Sequence, residues 1–143
     1  MNIIQPTSTE DMNTYFQLRW QILRAPWNQP IGSEQDEYEN IAFHVMAKND
    51  EGLVMGVGRL HSVDSCTAQI RYMAVCSQAR NQGIGGKIIN VLEQQAHRDN
   101  ISRVIINARD SALDFYKHHG YHTTGKGHTL YGQITHTTMQ KDL

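Results

Sequence analysis

The sequence predicts a single α/β (α+β) domain, residues 1–143, built around a mixed sheet. Three observations carry this. The chain has one domain's worth of residues, 143, long enough to bury about two thirds of its unfolded surface. Segments with helical and with strand periodicity alternate along it. No repeat, linker or low-complexity tract divides it.

Each element has its own reason. "STEDMNTYFQLRWQILR" predicts an amphipathic helix, capped by Ser8 or Thr9, with Met12, Tyr15, Phe16, Ile22 and Leu23 at helical spacing. Pro26 and Pro30 stop it, and the acidic stretch "IGSEQDEYEN" follows. "IAFHVMAKNDEGLVMGVGRLHSV" predicts two strands around a turn at Asn49–Gly52. "TAQIRYMAV" alternates, with Ala68, Ile70, Tyr72 and Ala74 expected on one face and Gln69, Arg71, Met73 and Val75 on the other. Ile84, Ile88, Val91 and Leu92 mark a second helix to about His97. "SRVIINAR" predicts a strand buried on both faces. Ser111 with Asp114 offers a capping box for a third helix, which Gly120 ends. The remainder predicts two strands, the last from Gln133 to about Lys141.

Composition narrows the function. Thirteen Lys+Arg against fourteen Asp+Glu leave a net charge of -1, which disfavours nucleic acid or a membrane surface as partner. "MNIIQPTSTEDMN" lacks the basic start and apolar run of a signal peptide, and no apolar stretch approaches the ~20 residues of a membrane-spanning helix. Cys66 and Cys76 form no CxxC pair, as expected in a reducing, cytoplasmic setting. Eight histidines are many, but His118, His119 and His122 match no ligand spacing; no metal site is expected, and surface positions are.

One stretch stands out. "RNQGIGGKII" sets Gly83, Gly85 and Gly86 where a helix begins, although glycine costs about 1 kcal/mol relative to alanine inside a helix. A glycine turn leading into a helix N-terminus exposes unpaired N–H groups at the positive end of the macrodipole, and Arg80 and Lys87 add charge. That geometry suits a phosphate or pyrophosphate. A dinucleotide GxGxxG fails because position 88 is Ile88, and a P-loop fails at Asn81 and Ile88. The competing explanation is tight packing of helix on sheet.

"RNQGIG" also matches the R/Q-x-x-G-x-G signature of the GNAT N-acetyltransferase superfamily, with Arg80, Gly83 and Gly85 in the defining places. "IRYMAV" resembles the strand that precedes this loop in the family. "INARDSALDFYKHHGY" resembles its downstream segment through Asn107, Ala108, Ala112, Phe115, Tyr116, Gly120 and Tyr121. "LRWQILRAPW" resembles the first helix of small bacterial members. The similarity runs from about Ile41 to the C-terminus. It implies a mostly antiparallel central sheet flanked by helices, and acetyl-CoA as co-substrate. The implied cofactor-binding residues are Met73, Ala74, Val75, Arg80, Asn81, Gln82, Gly83, Ile84, Gly85, Gly86, Lys87, Asn107 and Phe115. Among these, the amides of Gln82–Gly86 would take the pyrophosphate, and Met73 and Val75 the pantetheine arm.

Acetyl transfer to an amine needs a neutral nucleophile, a stabilised oxyanion and a proton for the leaving thiolate. A phenol with pKa near 10 can protonate a thiolate near 8.5, and the resemblance assigns that role to Tyr116, with the Val75 amide as oxyanion donor. The strand glutamate that some members use as base is absent; Gln69 and Arg71 stand on that strand. Glu34, Asp36, Glu37, His44 and His61, or a water, remain candidate bases. If the acidic run Glu34–Glu39 builds the acceptor pocket beside Trp20 and Trp27, a cationic amine is the expected acceptor, a small molecule or a peptide. Arg59 and Arg109 are cations on or beside predicted strands; Arg59 is expected in a structural ion pair rather than on a substrate carboxylate. Cys76 has no activating His or Asp at evident spacing, which favours direct transfer in a ternary complex. The alternative is a non-catalytic module that only binds CoA or acyl-CoA. A longer acyl group, a hydroxyl acceptor and a homodimer all stay open.

Overall fold

A computed structural model describes residues 1–143. The elements are β1 (Asn2–Ile4), α1 (Thr9–Leu23), β2 (Phe43–Lys48), β3 (Val54–Ser62), β4 (Thr67–Val75), α2 (Ile84–Arg98), β5 (Arg103–Arg109), α3 (Leu113–His118), β6 (His122–Leu130) and β7 (Ile134–Asp142). Three short 3₁₀ turns interrupt the loops: Ala25–Trp27, Ser77–Ala79 and Asp110–Ala112. The strands form one seven-stranded sheet, ordered β1-β2-β3-β4-β5-β7-β6. Every neighbouring pair is antiparallel except β4–β5. The predicted mixed, mostly antiparallel sheet flanked by helices is what the chain adopts.

α1 begins where Ser8 Oγ accepts the Asp11 amide at 3.0 Å. Its buried stripe is Tyr15, Arg19 and Leu23, four residues apart, so an arginine sits mid-stripe. α2 buries Ile84, Ile88, Ile89, Leu92 and Ala96. The two helices cover opposite faces of the sheet. The larger core gathers α2 with Val45, Leu60, Ile70, Val104 and Ile106, while the smaller joins α1's Tyr15 and Leu23 to Met46, Val57, Tyr72 and Ala74.

Several expectations need correcting. β1 is an additional edge strand of three residues, too short for a periodic signal. Ala68 and Ile70 do not share a face with Tyr72 and Ala74; the former pair joins the α2 core and the latter the α1 core. The cause is a bulge: between the Arg59–Arg71 and Val57–Ala74 pairs, Tyr72 and Met73 oppose the single residue Gly58, and Tyr72 takes φ +60°. β5 buries Val104, Ile106 and Ala108 on one face only, because Asn107 on the other is exposed. Ser111 caps nothing: the chain makes a 3₁₀ turn first, and α3 starts at Leu113 without a side-chain cap. Asp110 is engaged instead by the Thr137 hydroxyl at 2.8 Å.

Candidate active site

β4 and β5 pair only from Thr67–Ile70 with Arg103–Ile106, yet β4 continues to Val75 and β5 to Arg109. Beyond Ile70 the strands part, as expected where a bulge bends one of them. The opening is a cavity of about 1520 Å³. It runs through the sheet, from α2 and α3 on one face to Ile22, Leu23 and Arg24 at the end of α1 on the other. The Cys76 amide bonds Met55 O at 2.9 Å toward β3. Alternation along the strand therefore turns the Val75 amide toward the gap.

At the α2 end, Gly83 is the N-cap with φ +77°, no side chain caps the helix and its first turn holds no acid. Lys87 N is the first amide to bond back, to Gly83 O at 3.1 Å. The amides of Asn81 to Gly86 have no acceptor in the chain. The glycines divide their work. A Cβ on Gly85 would lie 2.8 Å from Phe115 Cζ, and one on Gly86 2.7 Å from His119 Cε1. These two permit α3 to pack against α2, as the packing explanation requires. A Cβ on Gly83 would meet nothing within 4 Å, but the positive φ favours glycine there. Met73, Ala74, Val75, Arg80, Asn81, Gly83, Ile84, Gly85, Gly86, Lys87, Asn107 and Phe115 all line the cavity. Gln82 does not; its side chain donates to Gln78 O at 3.3 Å.

Tyr116 forms part of the wall and is 6% exposed. Its ring packs edge-on to Phe115 and Tyr121, at 5.1 and 6.0 Å between centroids. Burial raises its pKa well above 10, against the pull of Arg109. The phenol therefore keeps its proton throughout the neutral and mildly alkaline range, and it is a weaker acid than the near-match with a thiol predicts.

The acidic run is elsewhere. Glu34, Asp36, Glu37, His44 and His61 line no part of the cavity. Glu34 is buried, accepting the Gly32 amide at 2.7 Å and the Gln35 side chain at 2.9 Å. Asp36 takes Arg59 on both oxygens, at 2.6 and 3.0 Å, and Arg71 at 2.8 Å. Burial would raise the Asp36 pKa; hydrogen bonds from Arg59 and the Tyr38 amide, with the Arg59 and Arg71 charges, overcome this and hold it well below the usual carboxylate range. Glu39 holds Arg19 at 3.0 Å and Arg59 at 2.8 Å. Glu37 is exposed. His44 donates Nε2–H to Glu39 O at 2.7 Å and faces the Tyr15 hydroxyl at 2.8 Å. His61 stacks on Tyr38 and accepts from Arg59 at 3.1 Å. Burial lowers both histidine pKa values. The run therefore lies outside this cavity, and arginines from α1, β3 and β4 pair with its Asp36 and Glu39. Arg59 is a structural ion pair, as expected.

No Asp or Glu lines the cavity; Arg24, Arg71, Arg80, Arg109 and Lys87 do. His128 and His136 also line it, stacked at 4.2 Å, and His136 is buried rather than on the surface. Since a carbonyl only accepts, His136 Nδ1 donates to His128 O at 3.1 Å, leaving Nε2 with the lone pair of the neutral ring. Burial, then the neighbouring His128, lowers the His136 pKa. A hairpin reading centred on Gly132 would have set His128 opposite His136, as Leu130 stands opposite Ile134. For Arg24 and Arg109, no sequence signal separates a cavity wall from a surface.

Comparison with known proteins agrees with this architecture. A family model described as an acetyltransferase (GNAT) domain matches residues 17–143. The chain is 31% identical over 142 residues to the uncharacterized N-acetyltransferase YjcF of Bacillus subtilis, covering 99% of this chain and 100% of that protein. It superposes on an aminoglycoside 6'-N-acetyltransferase complexed with coenzyme A (TM-score 0.81, 15% identity, 99% of this chain and 97% of that one). A GNAT acetyltransferase of Elizabethkingia anophelis with acetyl-CoA bound is similar too, with TM-score 0.77, 17% identity and the same coverage. Sequence and fold lead to one conclusion: the chain belongs to the GNAT acetyltransferase family and is an acyltransferase.

Proposed function

We propose that the protein is an acetyl-CoA-dependent N-acetyltransferase that moves an acetyl group to a primary amine by direct transfer in a ternary complex. The observation that carries this is the cavity through the sheet, with unpaired amides at its α2 end and a protonated, buried Tyr116 in its wall. The residues present suit the co-substrate. Donors at Asn81–Gly86 with Arg80 and Lys87 fit a pyrophosphate, and the unpaired edge of β4 at Met73, Ala74 and Val75 fits an amide-bearing arm. Asn107 and Phe115 border the same space. Bound there, acetyl-CoA would supply an activated thioester.

The chain's own groups supply the rest. The Val75 amide points a donor into the gap for charge developing on a carbonyl oxygen. Tyr116 Oη holds a proton for the departing sulfur. An incoming amine must shed its own proton, and the cationic wall of Arg24 and Arg109 favours its neutral form. Neutral His136 lies in that wall to accept the proton through Nε2. Coenzyme A titrated calorimetrically into the protein should bind with saturation, and thiol release from acetyl-CoA should require an amine. Binding without amine-dependent release would leave a CoA-binding module; no binding would refute the reading.

A further inference from the structure

We infer that the acceptor carries an anionic group beside its amine, a carboxylate or phosphate monoester, and that Arg24 and Arg109 hold it. The inference rests on the acetyltransferase reading of the cavity and adds the class of acceptor.

Arg19 and Arg59 are fully buried and each has a carboxylate partner, Glu39 at 3.0 Å for Arg19, and Asp36 at 2.6 Å with Glu39 at 2.8 Å for Arg59. Arg24 is almost as buried, 6% exposed, yet bonds only neutral carbonyls: Nε to Ser33 O at 3.0 Å and Nη1 to Leu23 O at 3.1 Å. Arg109, half-buried at the end of β5, donates Nη2 to the same Leu23 carbonyl at 3.1 Å. Neither forms an ion pair. Two guanidiniums thus converge on one oxygen from different elements, at a wall with no acid. Burial, and next the nearby Arg24, lowers the Arg109 pKa, in keeping with two cations that have no carboxylate. Beyond those carbonyls, Arg24 meets only the faces of Tyr72 and Tyr131, at 5.7 and 5.9 Å to the ring centres.

Leaving buried charge unpaired is costly, and the carbonyls ending α1 give only a partial negative charge in return. The remaining donors, Arg24 Nη2 and Arg109 Nε and Nη1, have no partner in the chain and are not sealed inside it. A planar fork left open toward a cavity is suited to bidentate capture of a carboxylate or phosphate. Arg80 and Lys87 cannot be serving the same anion, because they flank the α2 helix on the opposite face of the sheet. Arg109 and Tyr116 line the same cavity, so an anion held by Arg109 lies in the space the phenol borders. A polyamine would meet like charge throughout.

The test is a panel of matched amines with acetyl-CoA, read as thiol release: β-alanine against its amide, glucosamine 6-phosphate against glucosamine, and spermidine alone. The anionic member of one pair should exceed its neutral partner in kcat/KM by about tenfold or more, the weight of one hydrogen bond to a charged group. Which pair responds tells carboxylate from phosphate. Arg24→Gln and Arg109→Gln should each raise the KM of that amine about tenfold and leave the acetyl-CoA KM unchanged, while Arg109→Lys keeps part of the preference. Preference for a neutral amine or spermidine overturns the inference, as does discrimination that survives both glutamine variants. If no amine turns over, the same pairs are compared in thermal melts with coenzyme A bound; greater stabilisation by the anionic member supports the inference and equal effects overturn it. Failure to bind coenzyme A at all strikes the underlying acetyltransferase reading instead.

Discussion

Replacing Asp36 by Asn should unfold this protein more readily than it impairs the chemistry. Asp36 ties two strands together: both its oxygens hold Arg59 of β3, and one also holds Arg71 of β4. Arg59 is fully buried, and its Nε already lacks a partner. Removing one member of a buried pair costs about 3–5 kcal/mol. Because Arg59 retains Glu39 at 2.8 Å, the lower end applies, about 3 kcal/mol. Unfolding entropy of about 2.1 cal/mol/K per residue converts this to a fall in Tm of about 10 °C for a chain of 143 residues. The folded pKa of Asp36 lies below the unfolded value of 3.8, so its contribution is present above that value and is lost as pH falls through the folded one. Wild-type stability should therefore decline below about pH 4, and the variant should lack that part of the decline. Urea denaturation at pH 7 and pH 3 measures both effects, with exposed Glu37→Gln as a control near zero. A variant of unchanged stability but abolished turnover would refute the argument and restore Asp36 as the base.

Other outcomes follow from the same geometry. Tyr116→Phe should lower kcat by about a hundredfold, the scale of general acid catalysis, with the acetyl-CoA KM nearly unchanged; the wild-type rate should show no phenol titration below pH 9. Normal kcat in the variant removes Tyr116 from the mechanism. Gly85→Ala drives a methyl to 2.8 Å from Phe115 and should cost about 1–3 kcal/mol of stability by overpacking, measured by urea denaturation. Gly83→Val combines a strained φ of +77° with open space, so it should raise the acetyl-CoA KM; Gly83→Asn, which tolerates that backbone, separates strain from crowding of the anion site.

The sequence made the long periodic elements legible for simple reasons. α1, α2 and β4 each show a period that burial later satisfies, and Ser8 caps where serine should. What stayed hidden is non-local. Positive φ at Tyr72 has no glycine to announce it, so the face swap in β4 could not be read from alternation. The acidic run looked free because its partners, Arg59 and Arg71, lie 23 and 35 residues beyond Asp36. Arg19 occupies a buried stripe that hydropathy alone gives to apolar residues. The glycine stretch was half legible: its helix-terminal position was evident, but the rings that require Gly85 and Gly86 come from α3. Arg24 and Arg109 meet only because the end of α1 and the end of β5 share the Leu23 carbonyl.

The parting of β4 from β5 beyond Ile70 has a consequence for how the molecule spends its working cycle. Two lengths of backbone face each other there without zipping shut, an interior seam that a bound arm could stitch as though it were a further strand. Filling that seam at a hundred times its dissociation constant would add about 2.7 kcal/mol to global stability. The catalyst would then be firmest while loaded and loosest between turnovers, with amide exchange at Met73 and Val75 tracking the alternation.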